Sequence, residues 1–264
     1  MTAGSFKDHF SGDSGRYARA RPDYPDALFA WLAAQAGARQ HALDAGCGNG
    51  QASRGLARHF RHVTAIDPSA AQIAEAEGPD NVRFLVRTAE DTGLPDRSCD
   101  LVLIAQALHW FDHERFFAEA ARLLRPGGLL AAIAYDRAET TPEIDAIITH
   151  LYSDILGPFW PPERRYFDEG YARSIPFPRP QLDTPAFRIE RHWTAAQMLD
   201  YCASWSATRR YIEARGTDPL DRIRDSLARI WGAHSRPVIW KIAVLAARTA
   251  FGQDFLNAKP QINS

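Results

Sequence analysis

Cysteine is scarce in this chain of 264 residues. Cys47, Cys99 and Cys202 are widely spaced and odd in number, with no Cys-x-x-Cys pair, which argues against a disulfide framework or a thiolate zinc site. No His-x-His, His-Glu-x-x-His or Cys/His cluster at ligand spacing occurs, so no metal requirement is expected. An excess of one charge is also missing: 31 Lys and Arg stand against 32 Asp and Glu. There is no basic stripe suited to nucleic acid and no block of like charge. Long hydrophobic runs are absent too. The longest, at residues 238–247, is interrupted by Lys241 and is too short to span a bilayer. The first ten residues carry Lys7, Asp8 and His9 and lack the apolar stretch of a signal peptide. Few, core-placed thiols suit a reducing compartment. The expectation is a cytoplasmic protein with neither membrane nor nucleic acid as partner.

What is present is a balanced composition, 45% hydrophobic and 24% charged, on a chain long enough for one large α/β domain. Helix and strand patterns alternate from Pro25 onward. Helices are expected at residues 26–35, 51–59, 69–77 and 113–124, and strands at 41–44, 63–67, 82–86, 99–106 and 129–134. Arg125-Pro126-Gly127-Gly128 is expected to stop the fourth helix. Near-continuous apolar strands between helices indicate a parallel sheet covered on both faces, hence a doubly wound fold.

After Asp136 the texture changes. Residues 139–191 are rich in proline, aromatics and arginine, which rules out a central strand. A helix at residues 142–155 followed by a long ordered loop is expected there. A strand at residues 187–193 follows, then a helix opened by a capping box of Thr194 and Gln197. A further helix runs from Asp218-Pro219 to about Trp231, and a last strand covers residues 238–247. The predicted architecture is a mostly parallel, seven-stranded, doubly wound α/β sheet in one domain over residues 1–264. Within it, residues 25–136 form the binding core, 137–186 a helical and loop cap after strand five, and 187–264 a sheet extension with inserted helices.

The chemistry centres on Asp44-Ala45-Gly46-Cys47-Gly48-Asn49-Gly50, which follows a strand and opens a helix. Alternate glycines let the backbone turn sharply and approach a ligand. The run departs from the dinucleotide fingerprint, because Gln51 stands where its third glycine belongs. Negative charge from Asp44 beside a pyrophosphate is unfavourable. The ammonium and sulfonium of S-adenosylmethionine suit that acid instead. Asp67-Pro68-Ser69 then ends the second strand, where a carboxylate can accept both hydroxyls of a ribose.

In combination these segments resemble the class I S-adenosylmethionine-dependent methyltransferases. The resemblance continues in order through Ala89-Glu90, through Gln106-Ala107-Leu108-His109-Trp110 at the end of strand four, and through Leu124 to Gly128. It covers about residues 40–136. It implies that Asp44, Ala45, Gly46, Gly48, Gly50, Asp67, Pro68, Ser69, Ala89, Glu90, Gln106, Ala107 and Trp110 surround the donor, with S-adenosylhomocysteine as product. Tyr17 to Pro25, Leu108 to Phe111 and Trp205-Ser206 resemble the small-molecule branch that includes trans-aconitate methyltransferase. That likeness implies that residues 1–24 fold over the donor as a lid, with Tyr17 and Arg21 against it.

Acceptor candidates are His109, as positioning group or general base, and Trp160, Arg164, Arg165, Tyr166, Trp205 and Arg209. Their guanidinium groups suit a small carboxylic acid. Two other functions are compatible with parts of this pattern. A non-catalytic donor-binding regulator needs the same donor motifs, whereas a nicotinamide oxidoreductase is opposed by Asp44 and Gln51.

Overall fold

The computed structural model describes residues 22–168, 174–175 and 177–248. The expected places of Tyr17 and Arg21, and most of the lid, lie outside these residues. The described chain forms a seven-stranded sheet in the order β3-β2-β1-β4-β5-β7-β6. Its strands are β1 (His41–Ala45), β2 (His62–Asp67), β3 (Val82–Val86), β4 (Cys99–Ala105), β5 (Leu124–Tyr135), β6 (Phe187–Trp193) and β7 (Arg236–Arg248). Only β7 runs against the rest, pairing antiparallel with both β5 and β6. The sheet is therefore mixed, with six strands in one direction.

Side-chain alternation divides the central strands between two cores. On β4, Leu101 and Leu103 join one core while Val102 and Ile104 join the other. Period-two alternation on a sheet buried on both faces produces this split. The first core receives Leu28, Phe29, Leu32 and Ala33 of α1 (Asp26–Gln35). It continues into the late helices α7 (Ala195–Ala203), α8 (Ser206–Arg215) and α9 (Arg224–Trp231), and Trp231 of α9 and Trp240 of β7 are fully buried in it. The second core receives Phe116, Phe117, Ala120 and Leu123 of α4 (His113–Leu123). Those positions repeat at helical spacing, so one stripe of α4 faces the sheet.

Several boundaries differ from the sequence expectation. Arg125-Pro126-Gly127-Gly128 does not separate α4 from the next strand. β5 begins at Leu124, which pairs with Cys99, and the register then shifts before Leu101 meets Leu129. The turn is thus a bulge inside the ladder. The helix expected after Ser69 is the short α3 (Ala70–Ala74), with the Ser69 hydroxyl accepting from the Gln72 amide. The glycine loop opens α2 (Gln51–Ala57), two residues shorter than expected. The helix predicted from Asp218 to Trp231 is divided at Ile223 into a 3₁₀ turn, Pro219–Arg222, and α9. The capping box of Thr194 and Gln197 forms as predicted. The segment after β5 contains α5 (Pro142–Thr149), which passes directly into a π-helical turn, His150–Ile155. Two 3₁₀ turns and the short α6 (Arg165–Asp168) follow.

Strand order reverses between β1 and β4. In open α/β sheets the crevice beyond the carboxyl ends of the strands at such a switch point is where ligands bind. Here those ends carry the glycine loop and the Gln106–Trp110 segment.

Candidate functional site

The loop after β1 owes its shape to three glycines with positive φ: Gly46 at 72°, Gly48 at 54° and Gly50 at 87°. At Gly46 an added Cβ would stand 2.6 Å from the Ala107 Cβ, and at Gly50 2.7 Å from the Phe84 ring. The loop is therefore closed against the end of β4 on one side and against β3 on the other. Its first amides, those of Gly46 and Cys47, both donate to the Ile66 carbonyl on β2. Ala45 is the buried last residue of β1. Gln51, opening α2, donates to the Pro22 carbonyl at 2.9 Å and ties residues 22–25 across the loop.

Two acids flank the loop. Asp67 ends β2; its Oδ2 accepts the Gly48 N–H at 3.0 Å and its Oδ1 accepts the Ser69 N–H at 2.9 Å. It shapes the loop from the end of β2. Asp44 is fully buried. Its Oδ2 accepts from the Ser53 hydroxyl at 2.6 Å, and its Oδ1 has no hydrogen-bond partner among the described residues. Burial pushes the Asp44 pKa up to about 7; the Asp67 charge adds to the rise and the Ser53 bond opposes it. A buried acceptor left unpaired costs roughly 1–3 kcal/mol. A cationic ligand group reaching this crevice relieves that cost. Ser53 is absent from the sequence expectation, although a serine on the buried face of a helix is itself a signal.

Pro68 and Ser69 carry the chain from Asp67 into α3. Ala89 is buried, and the Glu90 carboxylate accepts the Asp112 N–H at 3.0 Å, pinning the start of α4. At the end of β4, Gln106 holds a φ of 59°, a left-handed conformation costly for a side-chain-bearing residue. Its Nε2 donates to the Tyr135 carbonyl at the end of β5. Ala107 packs on Gly46, while Gln106, His109 and Trp110 line a cavity on the other side. The two halves of the site thus share one short segment.

This cavity measures about 90 Å³, where ~10–15 Å³ by the same measure holds one water. It has room for a small organic molecule. Of the predicted acceptor residues, His109, Trp160, Arg164 and Trp205 line it. Arg165, Tyr166 and Arg209 do not belong to its lining. Arg165 lies over the ring of Tyr166, Tyr166 packs on His113 of α4, and Arg209 faces Glu213 at 3.8 Å along α8. Trp110, expected beside the donor, lies in the cavity lining, its ring 4.7 Å from that of His109. Tyr135, Asp136, Arg137, Tyr152 and Tyr201 also line it and were not singled out by sequence reasoning. They come from the end of β5 and the residues just after it, the π turn and α7, so no local pattern joins them.

His109 keeps a little accessible surface but is otherwise enclosed. Burial, with smaller contributions from the Arg164 and His113 charges, lowers its pKa to about 3. The imidazole is therefore neutral throughout the physiological range. So weak a base is poorly matched to proton abstraction near neutrality. Contact with the acceptor suits it better than the general-base role considered from sequence.

Comparisons with known proteins agree with this geometry. Residues 43–132 match the family described as a methyltransferase domain. A Dictyostelium discoideum protein bearing a methyltransferase name is 34% identical over 235 residues, covering 87% of this chain and 89% of that one. The solved structure of a type II methyltransferase from Anaeromyxobacter dehalogenans shares 46% identity at a TM-score of 0.80, covering 86% of this chain and 97% of its own. A Saccharomyces cerevisiae protein, named for S-adenosylmethionine-dependent methyl transfer, is 33% identical over 136 residues, 48% of this chain and 47% of that one.

Proposed function

The chain belongs to the methyltransferase family, and we propose that it transfers the methyl group of S-adenosylmethionine to a small carboxylic acid, releasing S-adenosylhomocysteine. The observation that carries this proposal is the shared segment at the end of β4. Ala107 closes the glycine loop, and Gln106, His109 and Trp110 open the aromatic cavity beside it. A purely regulatory donor-binding protein has no use for a second cavity at that point.

The residues present fit the donor. Asp44 offers a buried, unpartnered carboxylate oxygen to a cation. The positive φ of Gly46, Gly48 and Gly50 gives the loop the sharp turn that lets backbone approach a ligand, and Asp67 stands at the end of β2 for the ribose hydroxyls. When bound, the donor supplies a methyl group already activated by its sulfonium.

The protein's share of the chemistry is then orientation and exclusion of water. Arg137 and Arg164, both in the cavity wall, attract a carboxylate. A carboxylic acid is ionised at neutral pH and needs no base to become a nucleophile. This agrees with a neutral, weakly basic His109. A cytoplasmic location belongs to the same proposal, since all three cysteines are buried thiols. No helix among the described residues is long and apolar enough to cross a membrane.

A screen of small carboxylic acids, phenols and amines with methyl-labelled S-adenosylmethionine tests the proposal. The expected product carries its label as an ester that mild alkali hydrolyses to methanol. Alkali-stable label, on nitrogen or on a phenol oxygen, would contradict the acid assignment while leaving methyl transfer intact.

A further inference from the structure

We propose that Tyr152, presented by the π-helical turn His150–Ile155, is a positioning residue that makes the acceptor cavity select for anions. The inference depends on the acid-acceptor assignment above and adds the device that enforces it. The sequence predicts one regular helix through residue 155, yet α5 widens after Thr149 into the π turn. Such turns are rare, occur mostly as single-turn bulges within α-helices and recur at functional sites. Here Tyr152 is buried in the cavity wall at 5% exposure.

Several contacts converge on this residue. The Arg164 Nε–H donates to the Tyr152 hydroxyl oxygen at 2.5 Å. The Arg164 guanidinium also lies 5.1 Å from the centre of the Tyr152 ring and 4.8 Å from that of Trp160. The Arg137 guanidinium lies 5.2 Å from the same Tyr152 ring. The Trp160 indole N–H donates to the Tyr152 backbone carbonyl at 3.0 Å, and the two rings are 4.7 Å apart. One tyrosine therefore sets two cations and one neighbouring ring of the cavity.

Attraction to a ring face holds a guanidinium near the ring but leaves its plane free to turn. The hydrogen bond at Nε fixes that plane, and with it the direction of the remaining N–H groups. Both guanidinium groups stand in the cavity wall and outnumber its one carboxylate, Asp136, so an anion entering the cavity is attracted on balance. A neutral acceptor of the same shape gains nothing from either effect. The Tyr152 hydroxyl should therefore matter for acids and not for their uncharged isosteres.

Benzoate and benzamide make a matched pair of probes of the same shape. Their binding to the whole protein is followed by tryptophan fluorescence, with and without S-adenosylhomocysteine. Wild type is expected to prefer benzoate. Tyr152→Phe keeps the ring and deletes the hydroxyl. It should weaken benzoate about tenfold, the scale of one hydrogen bond to a charged group, and leave benzamide and the melting temperature essentially unchanged. Arg164→Lys keeps the cation but loses the Nε bond and should give the same selective loss, so the test survives if Tyr152→Phe folds poorly. The proposal is overturned if wild type shows no preference for benzoate, if the variants bind benzoate as wild type does, or if benzoate and benzamide weaken together. Calorimetry of S-adenosylhomocysteine on the same samples reports separately on the donor assignment.

Discussion

Under the proposed function, Asp44 serves binding at the expense of stability. Its pKa rises from 3.8 in the unfolded reference to about 7 in the folded chain, chiefly through burial. Between those values the folded protein holds a proton that the unfolded chain has released. Folding stability therefore falls as pH rises across that window and levels off above it. Asp44→Asn should remove this slope and raise the melting temperature at pH ~8, while weakening S-adenosylmethionine at least ~10-fold through loss of the carboxylate. In wild type the donor affinity should itself decline as pH drops below about 7 and Asp44 is neutralised. Thermal melts and calorimetry across that range check both signs, and a variant that binds the donor like wild type would remove Asp44 from the site. The glycines give a sharper geometric test. At Gly46 an added methyl meets Ala107 at 2.6 Å, whereas at Gly48 the nearest atom, the Gln72 side-chain oxygen, is 3.5 Å away. Gly48→Ala should cost only the backbone strain of its positive φ, ~1 kcal/mol. Gly46→Ala should cost several times that in urea denaturation and abolish donor binding. Equal costs would contradict the close approach of the loop to β4.

At the level of elements, the binding end of the sheet is matched by a clasp at the opposite end. Asp100, near the start of β4 and almost fully buried, accepts the Gln40 and His41 N–H groups at 2.8 and 2.9 Å and an Arg125 N–H at 2.6 Å. It ties the beginnings of β1, β4 and β5 together. Asp100→Ala strands these donors and should destabilise the fold by about 3 kcal/mol. Donor affinity measured below the melting transition should stay unchanged, because the clasp lies at the far ends of the strands. A large loss of affinity in the folded variant would show that the two ends are coupled.

Elements with a strong local pattern were legible in the sequence. The apolar run of β4, the Thr194 capping box and β6 all form where expected. The bulge at Leu124 was not legible, because Pro126 and Gly127 give a turn signal whether the chain leaves the sheet or bulges within it. The π turn was hidden for a similar reason, since its sequence continues the amphipathic pattern of α5. The residues expected around the donor lie in contiguous loops after successive strands, so a local pattern pointed to each of them. The aromatic cavity is assembled from the ends of β4 and β5, the π turn, α7 and the turns near Trp160. Of the residues composition pointed to, Trp160 and Arg164 line it and Arg165 and Arg209 face elsewhere, while Tyr152, which also lines it, was passed over.

Taken as a whole, the molecule is an α/β sheet whose strand order reverses between β1 and β4, with the glycine loop and the aromatic cavity meeting there. Under the proposed function, Asp44 and Asp67 face a cationic donor, while Arg137 and Arg164, which outnumber the one carboxylate of the cavity lining, Asp136, attract an anionic acceptor. That account depends first on the donor. Titration of S-adenosylhomocysteine into wild type and Asp67→Ala by calorimetry tests it most directly. Wild type should bind one equivalent, and the variant, which loses both the ribose partner and the acceptor for the Gly48 and Ser69 amides, should bind at least ~10-fold more weakly. Folded wild type that takes up no S-adenosylhomocysteine, or a variant of undiminished affinity, would contradict it.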